Sequence, residues 1–407
     1  MSFYRKMPEK NLLLGRTSMP ADSEIVEVNA HMHTPYSFSA FESVGQAVQM
    51  AVAEGVKVTG INDFNTTDGY DAWARECLEN NIFPLFNIEF IALNREDQAD
   101  GILVNDPNNP GRTYISGKGL AFPQNLAGKS RVLFDRIKSE SNSHAEKMCA
   151  RLNDHLAECG APFTISFKEV SDSLTMGNIR ERHLAKALRM KVAAHFPDEG
   201  AQKAFYEKIF GGKPLKNALD NEAAVENEIR GNLLKAGGAA FVTENPDAFP
   251  EVLDICQVIK DAGGIPTYPF LADNAKGDFT GFEGDLEKAV ETLKKRGMSS
   301  VEFIPTRNTV GVLERYAGYC WENGMTVTFG TEHNTPAMEP VKVYASGLTE
   351  LTPLLKEINY KGACIVAAHQ YLVGKGETGL AGGFSGEKER DECVRLGHAI
   401  IKEINKK

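Results

Sequence analysis

Two histidines separated by one residue stand at the end of the first β-rich run of the sequence. Side chains alternate along a strand, so His31 and His33 would share one face, as two nitrogen ligands of one metal do. Glu89 ends the third β-rich run, and Glu332 follows a late one. Two imidazoles and two carboxylates suit zinc, manganese or iron. Each residue alone has an ordinary structural interpretation, but their shared position at strand ends predicts a site for a divalent metal ion.

These residues need a scaffold that brings the ends of strands together. From Glu24 onward, β-rich runs alternate with helical stretches, which is typical of βα units around a parallel sheet. The strands are predicted in EIVEVNA, VKVTGI, IFPLFNI, GIPTY, SSVEFI and MTVTF, and the helices at 42–54, 69–79, 246–262, 284–296 and 309–322. Because the unit recurs in both halves, we expect an α/β barrel rather than an open sheet. In such a barrel the strand ends carry the active site on one face.

The alternation breaks in the middle of the chain, which suggests four segments. Residues 24–117 are expected to form the first half of the barrel, 118–245 a mainly helical insertion, 246–345 the second half, and 346–407 a C-terminal extension that packs on the barrel. Within the extension, ACIVAA is predicted as a strand, which would put His369 at a strand end. The glycine-rich stretch 374–386 does not match the phosphate-binding GxxxxGK[ST] pattern and is interpreted as a surface or lid loop.

The composition excludes several classes of protein. The 407 residues carry 45 Lys+Arg against 55 Asp+Glu, so the net charge is −10, which argues against broad nucleic-acid binding. No apolar run approaches the roughly 18 residues of a membrane helix, and the first residues do not resemble a targeting segment. The seven cysteines form no CxxC pair and are interpreted as reduced thiols of a cytoplasmic protein. The oligomeric state stays open.

Three motifs of the first half resemble the opening of the PHP superfamily, the polymerase and histidinol phosphatase group. NAHMHTPYS at 29–37 is similar to DLHxHxxYSDG, GINDFNT at 60–66 to ITDHDT, and NIE at 87–89 to GIE. The resemblance implies a distorted TIM-like (β/α)7 barrel with a helical insertion, and a metal-dependent phosphoesterase activity.

Later motifs continue the resemblance in the same order. IRERHLAKAL at 179–188 resembles the IxRxHxARAL helix of the branch with nucleotide phosphatase and RNA-trimming exonuclease activity. GGIPTYP at 263–269 is similar to GGxxVLAHP, and GTEHN at 330–334 to GSDxH. The match covers residues 24–336, and no single motif decides it.

The resemblance implies up to three metal subsites, and the chain departs from two of them. One subsite keeps ligand-type residues throughout: His31, His33, Glu89 and Glu332. The positions of the other ligands are occupied by Tyr114, Tyr268, Phe38, Phe64 and Asn334. Phenylalanine cannot bind a metal, tyrosine is an unusual ligand and asparagine a weak one. The losses are grouped, so we expect one metal ion instead of three.

Further residues are candidates for catalysis and substrate binding. A proton shuttle beside the metal would be His333 or Asp63, although Asp63 could equally cap the turn at Thr66 and Thr67. The candidates for binding a substrate are Arg180, Arg182, His183, Tyr268, Arg307 and Phe64. The structural alternative for the group at 180–183 is a solvated, charged start of a helix.

The sequence leaves two functions open. The first is a metal-dependent hydrolase with a reduced, single-metal site and a small-molecule ester or phosphoester substrate. The alternative is a catalytically altered or inactive relative that binds a ligand in a pocket lined by aromatic rings. An RNA-trimming nuclease is disfavoured, because the chain is acidic and the ligands for a multi-metal centre are missing.

Overall fold

The strands of this computed structural model form one sheet that nearly closes into a barrel. The structure describes residues 3–245, 248–273 and 277–406, and in this part of the chain the sheet has seven strands in chain order. They are β1 (Glu27–Met32), β2 (Val56–Phe64), β3 (Phe83–Leu93), β4 (Arg112–Lys118), β5 (Ile265–Phe270), β6 (Ser300–Phe303) and β7 (Thr326–Phe329). The predicted α/β barrel is confirmed. Two residues at the ends of the predicted segments, Pro246 and Lys407, lie outside the described residues.

The two outer strands meet just beyond the end of β7. A parallel bridge joins Met32 to Glu332, and the main-chain N–H of His33 donates to the carbonyl oxygen of Glu332 over 2.7 Å. This contact between β1 and the turn after β7 is the seam of the barrel.

One strand of the barrel runs against the others. β4 pairs antiparallel with both β3 and β5, whereas the remaining neighbours pair in parallel. Its last residue, Lys118, therefore lies opposite Ile265, the first residue of β5. The reversal distorts the barrel and points the C-terminal end of β4 towards the face where the other strands begin.

Fourteen α-helices in the described residues surround the sheet. They are α1 (Lys10–Leu14), α2 (Val44–Ala53), α3 (Tyr70–Glu79), α4 (Arg95–Ala99), α5 (Gly128–Glu158), α6 (Phe167–Leu174), α7 (Glu181–His195), α8 (Glu199–Ile209), α9 (Glu222–Ile229), α10 (Val252–Asp261), α11 (Leu286–Lys295), α12 (Val310–Glu322), α13 (Pro353–Lys375) and α14 (Glu387–Asn405). Strands covered on both faces become nearly continuous buried runs, and in β2 each residue except Lys57 is buried. None of the described helices is long and apolar enough to cross a membrane.

Helices α5 to α9 lie between β4 and β5 and have a hydrophobic core of their own, which includes Leu152, Leu188 and Ile229. The start of α7 lies against the end of β2, where the side-chain amide of Asn178 donates to the carbonyl oxygen of Phe64. The helices between β4 and β5 therefore reach the face of the barrel where β2 ends.

The predicted strand ACIVAA is wrong, because these residues belong to α13. This helix lies against β1 and β7, the two strands at the seam, and is buried on most of its circumference. A β-carbon at Gly362 would come within 1.7 Å of the carbonyl oxygen of Val327, so α13 packs directly on the backbone of β7. A helix that is apolar all round has no 3.6-residue pattern, and a short piece of it is easily mistaken for a strand.

Candidate metal centre

Three side chains meet at the end of the barrel where β1 and β2 end; β3 continues past Glu89 to Leu93, so Glu89 does not end its strand as predicted. His31 is in β1, His33 follows that strand directly, and Glu89 is in β3. The two Nε2 atoms of the histidines lie 3.2 Å apart. Glu89 Oε2 lies 3.1 Å from His33 Nε2 and 3.8 Å from His31 Nε2. All three residues are buried, and their ligand atoms lie within 4.8 Å of one another, so they could hold a metal ion.

The partners behind each imidazole fix which nitrogen carries the proton. His31 Nδ1 lies 3.0 Å from Glu302 Oε2, a carboxylate oxygen that can only accept. His33 Nδ1 lies 3.1 Å from Ser37 Oγ, and that hydroxyl donates its own proton to Asp63 Oδ1 over 2.6 Å. These partners favour the tautomers in which both Nδ1 atoms donate and both Nε2 atoms carry the lone pair; the lone pair of His31 Nε2 faces the Asn62 side-chain amide at 3.0 Å.

Glu89 Oε2 is buried and has no hydrogen-bond partner among the described residues. Burial and then the charges of Glu332 and Glu302 raise the pKa of Glu89, while burial and then the charge of His31 lower the pKa of His33. A neutral imidazole and a carboxylate oxygen are the ligand forms that a divalent cation needs, so the residues fit a metal ion.

Asp63 lies behind His33 and does not point into the centre. It accepts hydrogen bonds from Ser37 Oγ, Thr34 Oγ1 and the main-chain N–H of Thr34, the last over 2.7 Å. Burial raises the pKa of Asp63 to about 7, and the hydrogen bonds from Ser37 and Thr34 oppose that shift. Its partners are not Thr66 and Thr67, so Asp63 orients the Ser37 hydroxyl instead of capping the turn after β2.

Glu332 lies at the rim of the centre, and its carboxylate pairs with residues outside the group of His31, His33 and Glu89. Oε2 accepts from the Arg307 guanidinium, and from Asn334 Nδ2 over 3.1 Å. Arg307 ends a short 3-10 turn after β6. The backbone of Glu332 has a positive φ of 63°, an uncommon conformation for a residue other than glycine. The structure therefore brings together His31, His33 and Glu89, and keeps Glu332 beside them in an ion pair.

His333 makes its described contacts outside the centre. Nδ1 lies 2.7 Å from Thr331 Oγ1, and Nε2 lies 2.9 Å from the carbonyl oxygen of Glu339. The ring stacks on Phe41 with centroids 4.7 Å apart, and burial lowers the pKa of the imidazole. These contacts hold the loop after β7.

Aromatic rings cover one side of the centre. Phe64 stacks on His33 with centroids 4.8 Å apart, and Tyr114 lies 6.3 Å from Phe64. The guanidinium of Arg180 lies 4.4 Å above the Phe64 ring on its other side. Tyr268 is elsewhere, because its hydroxyl donates to Glu283 Oε1 over 2.7 Å. Phe64, Tyr114 and Arg180 are thus beside the centre and Tyr268 is not.

The residues at the start of α7 divide between binding and support. His183 Nδ1 accepts the main-chain N–H of Arg180 over 2.9 Å, so this imidazole caps the helix. Burial, and then the charge of Arg180, lower the pKa of His183 to about 3. The guanidinium of Arg182 donates to Asn227 Oδ1 and lies 5.6 Å above the ring of Phe38. Arg180 is the member of this group that lies beside Phe64.

Two solved structures share the fold of this chain. One is a candidate metal-dependent phosphoesterase from Bifidobacterium adolescentis, with 17% identity, a TM-score of 0.53, and a match that covers 83% of this chain and 96% of that one. The other is an amidohydrolase from Chromobacterium violaceum, solved with bound sulfate and no metal, with 14% identity, a TM-score of 0.53, and coverage of 82% and 96%. The likeness is one of fold. No protein-family model and no curated protein match the chain.

Sequence reasoning missed a buried polar network under the histidines. Glu302, Lys118, Ser116 and Asn62 are all wholly buried inside the barrel. Burial lowers the pKa of Lys118 against the attraction of Glu302; burial raises the pKa of Glu302, but Lys118 and His31 together bring it below its usual value. The sequence signal was one carboxylate between the apolar residues Val301 and Phe303, on the opposite face of a short strand.

Proposed function

We propose that the protein is a hydrolase that depends on one divalent metal ion, held by His31, His33 and Glu89, and that its substrate is a small ester or phosphoester. The observation that carries the proposal is the set of three buried ligand atoms, one each from His31, His33 and Glu89, that lie within 4.8 Å of one another. The two imidazoles are oriented from behind by Glu302 and by Ser37, as metal-binding histidines are. The resemblance of the motifs to the PHP superfamily supports the same chemistry.

Glu332 is proposed as the fourth ligand. Its main chain is hydrogen-bonded to His33 and to His31, which keeps the residue at the rim of the centre. Its carboxylate charge is close enough to contribute to the raised pKa of Glu89. Arg307 holds the Glu332 carboxylate at the rim until a ligand or substrate competes for it.

A single metal ion agrees with the aromatic residues beside the centre. The Phe64 ring stacks on His33 and occupies one face of that imidazole. A bound divalent metal lowers the pKa of a coordinated water to about 7 and polarises an ester or phosphoryl oxygen. The chain itself excludes bulk water from the centre, because His31 and His33 are wholly buried.

Arg180 is proposed to bind the anionic group of the substrate. Its side chain is partly exposed, and its ion pair with Glu181 Oε2, at 3.9 Å, is at the limit of such a contact. Glu181 instead pairs closely with Arg230 and Lys235, at 2.9 and 3.0 Å. The guanidinium of Arg180 can therefore donate to a phosphate or carboxylate beside Phe64. The sulfate in the structure of the Chromobacterium violaceum amidohydrolase agrees with an anionic ligand for this kind of barrel.

The test is metal per chain, measured by elemental mass spectrometry on protein purified without chelator and without a histidine tag. We expect about one tightly bound transition metal. His31→Ala and His33→Ala should lose it, whereas His195→Ala, on an exposed part of α7, should keep it. The loaded protein should then hydrolyse members of a panel of esters, lactones and phosphoesters. Two or three metals per chain would contradict the single-metal centre.

A second candidate function is ligand binding without turnover. The depth of the centre favours it, since both histidines are wholly buried and Phe64 and Arg180 cover them. A protein that binds one metal and hydrolyses none of the panel would support this alternative. Protein that binds no zinc, manganese or iron after reconstitution would exclude the hydrolase.

A further inference from the structure

Glu302 is a carboxylate wholly buried inside the barrel, on β6, next to a proposed metal ligand. Its Oε2 lies 3.0 Å from His31 Nδ1 and 2.5 Å from Lys118 Nζ, and its Oε1 accepts from the Ser116 hydroxyl. A carboxylate with no access to water is costly unless all its oxygens are paired. Here both oxygens are paired, and one of the partners is a metal-binding imidazole.

Lys118 balances the charge of Glu302. Because β4 is reversed, Lys118 starts from the far end of the barrel, and its long side chain reaches into the interior. Its ammonium group has three protons, and three acceptors surround it: Glu302 Oε2, Asn62 Oδ1 at 3.1 Å and the carbonyl oxygen of Ala30 at 3.3 Å. The ion pair has no net charge, and Glu302 Oε2 also accepts a hydrogen bond from His31 Nδ1.

The Nδ1 atom of the second histidine, His33, also has a carboxylate behind it. His33 Nδ1 is backed by a carboxylate, Asp63, through the hydroxyl of Ser37. Each imidazole thus has an acceptor behind Nδ1, and its Nε2 faces the candidate centre; for His31, the Asn62 side-chain amide lies 3.0 Å from that Nε2 and donates to it. A buried ion pair that served only to stabilise the barrel would not need to end on a histidine nitrogen.

We infer that Glu302 is a positioning residue: it holds His31 in the tautomer whose Nε2 can bind a metal, while Lys118 pairs with the Glu302 carboxylate. The inference rests on the proposed metal centre for its effect on affinity. Its effect on the tautomer of His31 does not depend on any metal.

The experiment compares the metal-free and metal-loaded forms of the full-length protein. In Glu302→Met/Lys118→Met, the acceptor is removed without leaving a buried charge alone, so the fold is preserved better than in either single variant. Glu302→Gln removes the charge and keeps the shape. Glu283→Gln is the control, because Glu283 is equally buried, accepts from Tyr268 and has no described contact with either histidine.

Two measurements are made on each variant. Long-range nitrogen–proton NMR correlations of histidine-labelled, metal-free protein report the tautomer of His31. Titration with zinc, with the metal as the only ligand, gives the dissociation constant. We expect His31 to become a mixture of tautomers in the double variant and the zinc dissociation constant to rise about 10- to 100-fold, with a smaller rise in Glu302→Gln and no change in Glu283→Gln.

The outcomes separate this inference from the proposed function. A double variant that keeps both the tautomer and the zinc affinity of the wild type would overturn the role of Glu302. If the wild type binds no zinc, the proposed metal centre fails, and the metal-free NMR comparison still decides whether Glu302 sets the tautomer. Recovery of the zinc affinity in the double variant relative to Glu302→Gln would also overturn it, because the acceptor is then dispensable.

Discussion

The main-chain N–H of His33 donates to the carbonyl oxygen of Glu332 over 2.7 Å, so the hydrogen bond that closes the barrel joins two residues of the candidate centre. The backbone of Glu332 adopts a positive φ to make this contact. Closure of the sheet and the geometry of the centre therefore depend on the same contact. The turn that carries Glu332 holds the end of β1, where His31 and His33 lie.

Asp63→Asn should weaken metal binding without contacting the metal. The amide is a poorer acceptor for the Ser37 hydroxyl, so His33 loses part of its orientation, and the zinc dissociation constant should rise about 10- to 100-fold. Titration calorimetry with zinc measures this. Asp68→Asn, a half-exposed carboxylate paired with Lys138, is the control and should bind zinc as the wild type does. Equal zinc affinities for the wild type and both variants would show that Asp63 does not orient His33 for metal binding.

Arg180→Gln should reduce the affinity for inorganic phosphate and leave the metal in place. A hydrogen bond to a charged group contributes about 1.5–3 kcal/mol, so the phosphate dissociation constant of the zinc-loaded protein should rise roughly ten- to a hundredfold. Arg131→Gln removes an exposed guanidinium on α5 that pairs with Asp135, and should have no effect. Zinc content is measured in parallel. A loss of zinc together with phosphate would mean that Arg180 supports the centre and not the substrate.

His369 should make the protein less stable in acid. Its Nε2 lies 2.7 Å from the carbonyl oxygen of Gly263, and its Nδ1 accepts the main-chain N–H of Leu380, so the ring must be neutral in the folded state. Burial, opposed by the hydrogen bond to Gly263, lowers the pKa of His369 to about 4, against about 6.5 in the unfolded chain. The unfolded state therefore binds a proton first, and stability is complete above pH 6.5 and falls by about 3 kcal/mol as the pH drops towards 4.

Urea unfolding between pH 4 and pH 8 measures the dependence. Burial also lowers the pKa values of His183 and His333, so the informative quantity is the difference between the wild type and His369→Asn, whose amide oxygen can still accept from Leu380. The variant should lose stability less steeply with falling pH, while His195→Asn should follow the wild type. Parallel curves for His369→Asn and the wild type would refute the assignment.

Gly362→Ala should destabilise the protein because α13 packs on β7 without room for a methyl group. The added carbon would lie 1.7 Å from a backbone oxygen that cannot move freely, and overpacking of this kind costs about 1–3 kcal/mol or more. Gly318→Ala in α12 is the matched control, since no atom lies within 4 Å of its added carbon and alanine favours a helix by about 1 kcal/mol. Thermal unfolding should give shifts of opposite sign. An unchanged melting temperature for Gly362→Ala would mean that α13 does not pack directly on the backbone of β7.

The sequence was sufficient for the parts of the centre that depend on local geometry. The placement of His31 and His33 on one face follows from the two-residue period, and the common rim of a barrel predicts that Glu89 lies near them, although β3 continues past Glu89 to Leu93. The barrel itself followed from the alternation of strands and helices. These features need no knowledge of distant contacts.

Other features depend on long-range contacts and were out of reach. Nothing local in the sequence pairs Lys118 with Glu302, since the contact arises from the reversal of β4. The direction of the Glu332 carboxylate depends on Arg307 across the rim. In ACIVAA the burial comes from both β7 and α14, which removes the polar face that would have marked a helix.

The reversal of β4 also decides where the helical cover is attached. α5 begins where the other strands start, with Ser130 bonded to Asp261 at the end of α10, and only two turns later Lys138 pairs with Asp68 beyond the end of β2. The long helix α5 is thus anchored at the end of the barrel where most strands begin, and it carries the helices that follow it to the end where β2 finishes. The reversal of β4 therefore attaches the helices that cover Phe64 at the opposite end of the barrel from the candidate centre.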